Sequence, residues 1–427
     1  MEFATITKPK CTLTELIFIH KKLFKLSAQE NSIFNLSANF YTNYGPRSVR
    51  WSICFSGYTT VAINCTDSYS IPPRGKYKIS AKAISKQSME ISTELIFERN
   101  IIDVWNTEFL TKISNILDSS DFFGCTLKLQ YELRFEANEF IQVNPWLFST
   151  TFARVNIPTN LPYNDYRSVM CAKAIENPDF TIHTKDGIIE TVRYLLYLTI
   201  DRIHSEIDAN PSIQSIVIEH RKESVEQKGI RIGKAEITSY CDNVKIFVDN
   251  MCKFENKSLM INYALKGSFD MLDASPDVLD DFISCIRAFR PRGFWTLIHH
   301  ITDGLRNKLN EQWEKIDVDT VLRYLGLGAH HRLHELSSKA IIIIANVHYK
   351  QFMLEYNVDS NGSKLEIYNM LKDSELPFEG NAIQKIQAVY YAGKQTEVLF
   401  RYKVGQEKEN MTNDCEYILC DNSMIVN

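Results

Sequence analysis

Three histidines crowd one stretch of the chain, His330, His331 and His334 in GAHHRLHEL. Imidazole is the commonest protein metal ligand, and residues three apart share a helix face, so His331 and His334 invite a metal reading. Two imidazoles still need third and fourth donors and hydrogen-bonded outer partners. Neither an HExxH run nor a Cys-rich site supplies them, and the plainer reading is a partly exposed helix surface. No metal and no other cofactor is expected. His299–His300 is a weaker pair, because adjacent residues on a helix diverge. The segment GLGAHH has glycines like those of a phosphate loop, but it lacks that loop's lysine and Ser/Thr, and no clean strand precedes it. A helix junction is the better reading. RAFRPRGF is a small basic patch with aromatics, yet Arg287 and Arg290 also suit a helix C-terminus. The chain shows no Ser/His/Asp signature, no G-x-S-x-G elbow and no C-G-x-C-W run. Paired acids such as Asp280–Asp281 read as helix-start charges. An enzyme is not expected.

Trp105 in DVWNTEFL is the strongest candidate for binding. Its neighbours Asp103, Asn106, Thr107 and Glu108 are polar, which suits a surface connection. An indole at a rim offers a large stiff contact and one N–H donor, features enriched at binding hot spots. The competing reading is a core residue of a β-domain.

The elements that must position these residues follow from periodicity. LIFIH (16–20), VRWSICF (49–55), TTVAINC (59–65), KYKISAKAI (76–84) and ISTELIFE (91–98) are short apolar or alternating runs separated by turn formers. From Cys125 to Phe135 the chain alternates without a fault, the pattern of a half-buried strand. A short helix-like run, Phe109 to Leu117, precedes it. The prediction is an antiparallel sandwich over 1–136. Pro158 and Pro162 mark a linker over 137–172. Beyond it the pattern changes. FTIHT is a strand, Asp186–Gly187 a turn, and Ile188–Ile189 the start of a second strand; Val192, Leu195, Leu196, Ile200, Ile203 and Ile207 then repeat at helical spacing. The clearest helix is ASPDVLDDFISCIRAF. Ser275 suits its N-cap, Pro276 its first turn, and Val278, Leu279, Phe282, Ile283, Ile286 and Phe289 its apolar stripe. VDTVLRYL and HHRLHELSSKAIIII continue the helical pattern, while the last eighty or so residues, with AVYY and TEVLFRYKV, give no firm reading.

The 427 residues allow roughly two to four domains. With 44% apolar residues, general disorder is not expected. A net charge of −4 gives no overall pull towards nucleic acid or an anionic membrane. The ten cysteines are scattered without a CxxC pair. MEFATITKPK does not look like a signal peptide, and no apolar run reaches the roughly 18 residues of a membrane span. A reduced compartment, cytoplasm or nucleus, is the expectation.

The order RWSICF, KYKISAKAI, ISTELIFE, VWNTEFL and SSDFFGCTLKLQYEL resembles a MATH domain, the TRAF-like sandwich, over about residues 10–136. Trp51 matches the early strand tryptophan of that family; Trp105, Phe109 and Leu110 match its later W-x-x-F-[IL] segment. Residues 173–345 resemble a BTB (POZ) domain, an α/β and mostly helical unit. NPDFTIHTKDGIIETVRYLLYLTIDRIHSEI is similar to that family's opening. Asp179 stands at its early Asp, but Val192–Arg193 replace its His-Lys. SFDMLDASPDVLDDFISCIRAF and IDVDTVLRYLGLGAHHRLHELSSKAI resemble later parts. About fifty extra residues make 220–265 an insertion or a duplicated half, and 346–427 forms a C-terminal region of unknown fold.

The resemblance implies an adaptor that does no bond chemistry. Its MATH groove would hold a short motif of a protein substrate, with Trp105 at the groove. Its BTB part would dimerise and dock on the cullin scaffold of a ubiquitin ligase, so that substrate ubiquitination follows from proximity. For the cullin or dimer contact the residues to inspect are Phe282, Ile286 and Phe289, if the helical stripe is left exposed. The alternative is a scaffold that binds protein partners without a ligase link, favoured by the missing histidine and the insertion. Trp105→Ala is expected to weaken capture of targets in pull-downs while the fold stays intact; unchanged capture would remove residue 105 from the site.

Overall fold

The computed structural model describes residues 11–26, 37–56, 60–66, 73, 75–84, 91–97, 103–105, 107–118, 123–141, 177–184, 187–193, 196–197, 200–218, 275–289, 294–358, 362–373, 381–404 and 417–421. Most of the expected linker, the whole expected insertion 220–265 and the Arg290–Gly293 helix stop lie outside these residues. The chain forms two units, one of residues 1–149 and 387–427, the other of 150–386. The N-terminal region is built of antiparallel β-sheets and the region after it is helical.

In chain order the first unit contains β1 (Cys11–Lys25), β2 (Ala38–Tyr44), β3 (Arg47–Ser56), β4 (Thr60–Thr66), β5 (Gly75–Ile84), β6 (Ile91–Phe97), β7 (Asp103–Trp105), α1 (Thr107–Asp118), β8 (Thr126–Glu136) and α2 (Ala137–Ile141). The second unit contains β9 (Phe180–Thr184), β10 (Ile188–Thr191), α3 (Asp201–Ala209), β11 (Ser215–Ile218), α4 (Pro276–Phe289), α5 (Phe294–Gln312), α6 (Val318–His330), α7 (His334–Ile343) and α8 (Gly362–Asp373). The chain then runs through α9 (Ala382–Lys394), β12 (Thr396–Val404) and β13 (Tyr417–Asp421).

The first unit holds a six-stranded sheet, β13-β12-β1-β8-β5-β6, and a four-stranded sheet, β2-β3-β4-β7. The alternation read at 125–135 sets the inner face: Leu127, Leu129, Tyr131, Leu133 and Phe135 on β8 are all at most 1% exposed. They share one core with Leu16 and Phe18 of β1, with Phe40 of β2 and with Val49, Trp51, Ile53 and Phe55 of β3. Rings join the two sheets. Trp51 stacks on Phe135 at 5.7 Å, and Phe40 on Tyr131 at 6.1 Å. A buried indole N–H needs an acceptor; Trp51 Nε1 donates to Thr42 Oγ1 at 2.8 Å. Arg47, 2% exposed, donates to the Phe140 carbonyl oxygen at 2.8 Å and lies over that ring.

The C-terminal strands complete this core. β12 pairs with β1 from Cys11↔Val404 to His20↔Thr396, with an irregularity between Leu13 and Glu15 that Thr14 Oγ1 spans by donating to the Arg401 carbonyl oxygen. Val398 and Phe400 are 3% and 1% exposed within the same cluster. Where the sequence leaves 346–427 without a fold, the structure gives Gln387–Asn427 to the first unit. β2 also has no counterpart in the sequence reading, and its ANFYTNY carries enough polar residues to hide its alternation.

In the second unit three strands run in the order β10-β9-β11, with β9 antiparallel to β10 and parallel to β11. Phe180, Ile182, Ile189 and Ile216 make the buried face. Helix α4 has the bounds its sequence signals require, beginning at Pro276 with Leu279 N donating to the Ser275 carbonyl oxygen. α6 starts at the N-cap Asp317, whose side chain accepts from Thr320 N at 2.8 Å. Beyond α7 the helix widens into π-helical turns at Ile344–His348 and Met353–Val358. Arg306 is 5% exposed and paired with Asp303 at 3.0 Å and Glu335 at 2.7 Å, which ties α5 to α7.

Because Phe400 packs in the N-terminal core, Phe400→Ala is expected to destabilise the first unit by about 3–5 kcal/mol. Urea unfolding followed by hydrogen exchange at the β1 and β8 amides is the check, with protection falling at both strands.

Candidate functional site

The binding candidates from the sequence meet different fates. Residue 105 is not in an open connection: it ends β7, where Thr60 pairs with Trp105 at the edge of the four-stranded sheet. The polar flanks concealed a strand only three residues long. Its indole lies outside the described side chains. On α4, Ile286 is 0% exposed, as is Ile283, and Leu279 is 1% exposed. The stripe serves the core, so Ile286 offers no surface for a cullin or dimer contact. The side chains of Phe282 and Phe289 lie outside those described.

The histidine stretch makes the best-defined polar site. His330 and His334 lie on partly exposed or exposed helix ends, as expected, but His331 is 2% exposed, and its partner is Asp280 rather than His334. His330 Nδ1 lies 2.8 Å and His331 Nε2 2.9 Å from the same oxygen, Asp280 Oδ1. The Asp280 backbone oxygen is 3.1 Å from His331 Nε2. His334, at the start of α7, is exposed and does not join.

Local geometry explains how two adjacent residues face one carboxylate. On a helix they would diverge by about 100°. However, α6 ends at His330, and His331 has left helical geometry, with φ −94° and ψ 7°. The next residue, Arg332, is left-handed with φ 54°, a conformation usually taken by glycine or asparagine at a helix end. Leu333 N then closes the reversal on the Gly328 carbonyl oxygen at 2.7 Å. The imidazoles consequently stack, 4.4 Å apart and 21° from parallel. The Arg287 guanidinium donates to the His331 carbonyl oxygen and anchors the turn to α4.

Burial pushes the His331 imidazole below its ordinary value, against the opposing hydrogen bond and charge of Asp280. Burial alone would raise Asp280; hydrogen bonds from the two histidines, together with their charge, outweigh it and hold the carboxyl well below the usual carboxylate range. This set of one carboxylate and two imidazoles can bind helices together or hold a cation. Sequence reasoning reached the histidines and missed Asp280, because a separation of 50 residues leaves no local signal.

The glycines of GLGAHH have a packing role. Gly326 and Gly328 lie inside α6, not at a junction. A Cβ on Gly328 would stand 2.5 Å from Ser337 Oγ and 2.9 Å from Ser337 N, so the bare backbone lets α7 approach. His299 pairs only loosely with Asp303, at 3.7 Å, and is well exposed. No helix among the described residues is long and apolar enough to cross a membrane.

Large apolar side chains also stand at the surface of the second unit. Trp295 on α5 is 75% exposed. Ile188 and Val217, 62% and 63% exposed, both pair with His183 and flank it on one rung of the small sheet.

Gly328→Ala is expected to cost about 1–3 kcal/mol, because the clash is with Ser337 backbone as well as its hydroxyl. Chemical denaturation of the full chain measures it.

No protein-family profile matches this chain, and no curated protein is similar enough to stand as a relative.

Proposed function

We propose that the chain is a protein-interaction adaptor. Its N-terminal β-unit, of the MATH type, captures a short peptide motif in a protein substrate. Its helical unit, of the degenerate BTB type, dimerises and docks on the cullin of a ubiquitin ligase, with no bond chemistry of its own. Two packed antiparallel sheets and a hairpin–helix–strand start to the second unit support the reading. So does Asp179, matched to the early Asp of the second family: its side chain accepts from Arg193 N at 2.8 Å, fixing the chain after the hairpin.

The carrying observation is the outer rung of the small sheet. The inner face of that sheet is buried and apolar. The outer face also presents Ile188 and Val217, one on each edge strand. Apolar residues on both faces are the mark of a sheet covered on both sides. Apolar area exposed on this rung suits a docked protein better than solvent, as does the exposed Trp295 on α5.

The second reading, a scaffold without a ligase link, has one observation in its favour. Arg193 stands where the resemblance implies the histidine–lysine pair, and its guanidinium is engaged by the Pro211 carbonyl oxygen after α3.

The test uses the full tagged chain, since removing 1–136 would strip β12 of β1, one of its two partner strands. Cullin should co-precipitate in stoichiometric amount, and Ile188→Lys with Val217→Lys should weaken recovery by about tenfold or more, the equivalent of 1.4 kcal/mol. Protein targets recovered without any cullin would leave the scaffold reading; loss of neither on the double substitution would clear the outer rung of a docking role.

A further inference from the structure

We propose that Asp280, His330 and His331 form a binding site for a divalent first-row metal ion, with zinc as the ion to test. The inference is independent of the adaptor reading. It rests on three donors that converge from α4 and the turn after α6: Asp280 Oδ1, His330 Nδ1 and His331 Nε2, all within 4.8 Å of one another. Two imidazoles and one carboxylate make the donor set that holds zinc with a further position left for water.

Three features fit an ion better than a chance meeting. First, both ring nitrogens aim at a single carboxylate oxygen, at 2.8 and 2.9 Å. Second, the ligands are fixed before any ion arrives. Asp280 sits one turn into α4, and the left-handed Arg332 and the Arg287 bond to the His331 carbonyl oxygen hold the turn. Third, there is a route in. His331 is 3% exposed at its side chain, but His330 and Asp280 are 15% and 21% exposed.

A tetrahedral zinc takes nitrogens at about 2.0–2.1 Å, which puts neighbouring donors about 3.3 Å apart. The Asp280 oxygen must therefore withdraw by a few tenths of an ångström from each ring. The two N–H hydrogen bonds are replaced by bonds to the metal. Each imidazole stays neutral by carrying its proton on the other nitrogen: His330 on Nε2, His331 on Nδ1. No group is oxidised or reduced. Arg287 is engaged by the His331 carbonyl oxygen and occupies no ligand position, but its charge opposes a dication, so the affinity should fall below that of the same triad without it. When bound, the ion joins α4 to the α6–α7 turn.

The experiment loads chelator-treated full chain with Zn2+ and with Co2+. Wild type should take up a single equivalent that resists gel filtration. Bound Co2+ should show weak visible bands of a nitrogen and oxygen site, without the intense thiolate-to-metal absorption of a cysteine ligand. Zn2+ should raise the thermal midpoint. His330→Gln, a change at a partly exposed ring, should leave the metal-free midpoint near wild type and abolish both the rise and the Co2+ bands. Asp280→Asn should do the same to the bands even if it lowers the midpoint. No uptake by wild type, uptake undiminished in His330→Gln, or a thiolate absorption would each overturn the assignment.

Discussion

Strand β1 is hydrogen-bonded along both edges, to β8 on one side and to β12 on the other. The six-stranded sheet of the first unit depends on this double pairing. It places a segment near the start of the chain beside one near the end, with Thr14 bonding a residue 387 positions away. The helical unit is thereby an insertion between two parts of one β-unit. Such contacts close late, because the ordering entropy of the intervening chain must be met before they form. The arrangement also moves the sheet edges out to β6 and β13 and covers both sides of β1 over Glu15–His20.

The strands with a clean apolar alternation were legible, because the pleat and one-sided burial write themselves into sequence at period two. So was α4, whose cap, proline and stripe all point one way. Pairing partners were not legible. TEVLFRYKV states that a strand is half-buried, not that it lies against β1. The strand at Trp105 was not legible, because an edge strand of three residues is too short to impose a pattern and its polar neighbours resemble a loop. The histidine site was half visible. Helical spacing favoured His331 with His334; the end of α6 at His330 broke that spacing and turned His331 towards α4. Asp280 carried the ordinary signal of a helix start and only the tertiary fold gave it a second use.

The polar interior of the helical unit has a consistent logic. Buried charges stay only where partners surround them. Arg306 has Asp303 and Glu335, and Asp280 has two imidazoles. These groups fix which helix faces which more than they add stability, since an ion pair in the interior must first repay its desolvation. The small sheet follows the opposite rule on its outer side, where Ile188 and Val217 meet solvent.

If the chain is the adaptor proposed above, a docked protein covers this outer face. Hydrogen exchange of the full chain, alone and with a purified cullin, tests it directly. The account predicts protection gained at Ile188–Thr191 and Ser215–Ile218, with β3 and β8 unchanged. Exchange through the second unit that is the same with and without the cullin would contradict it.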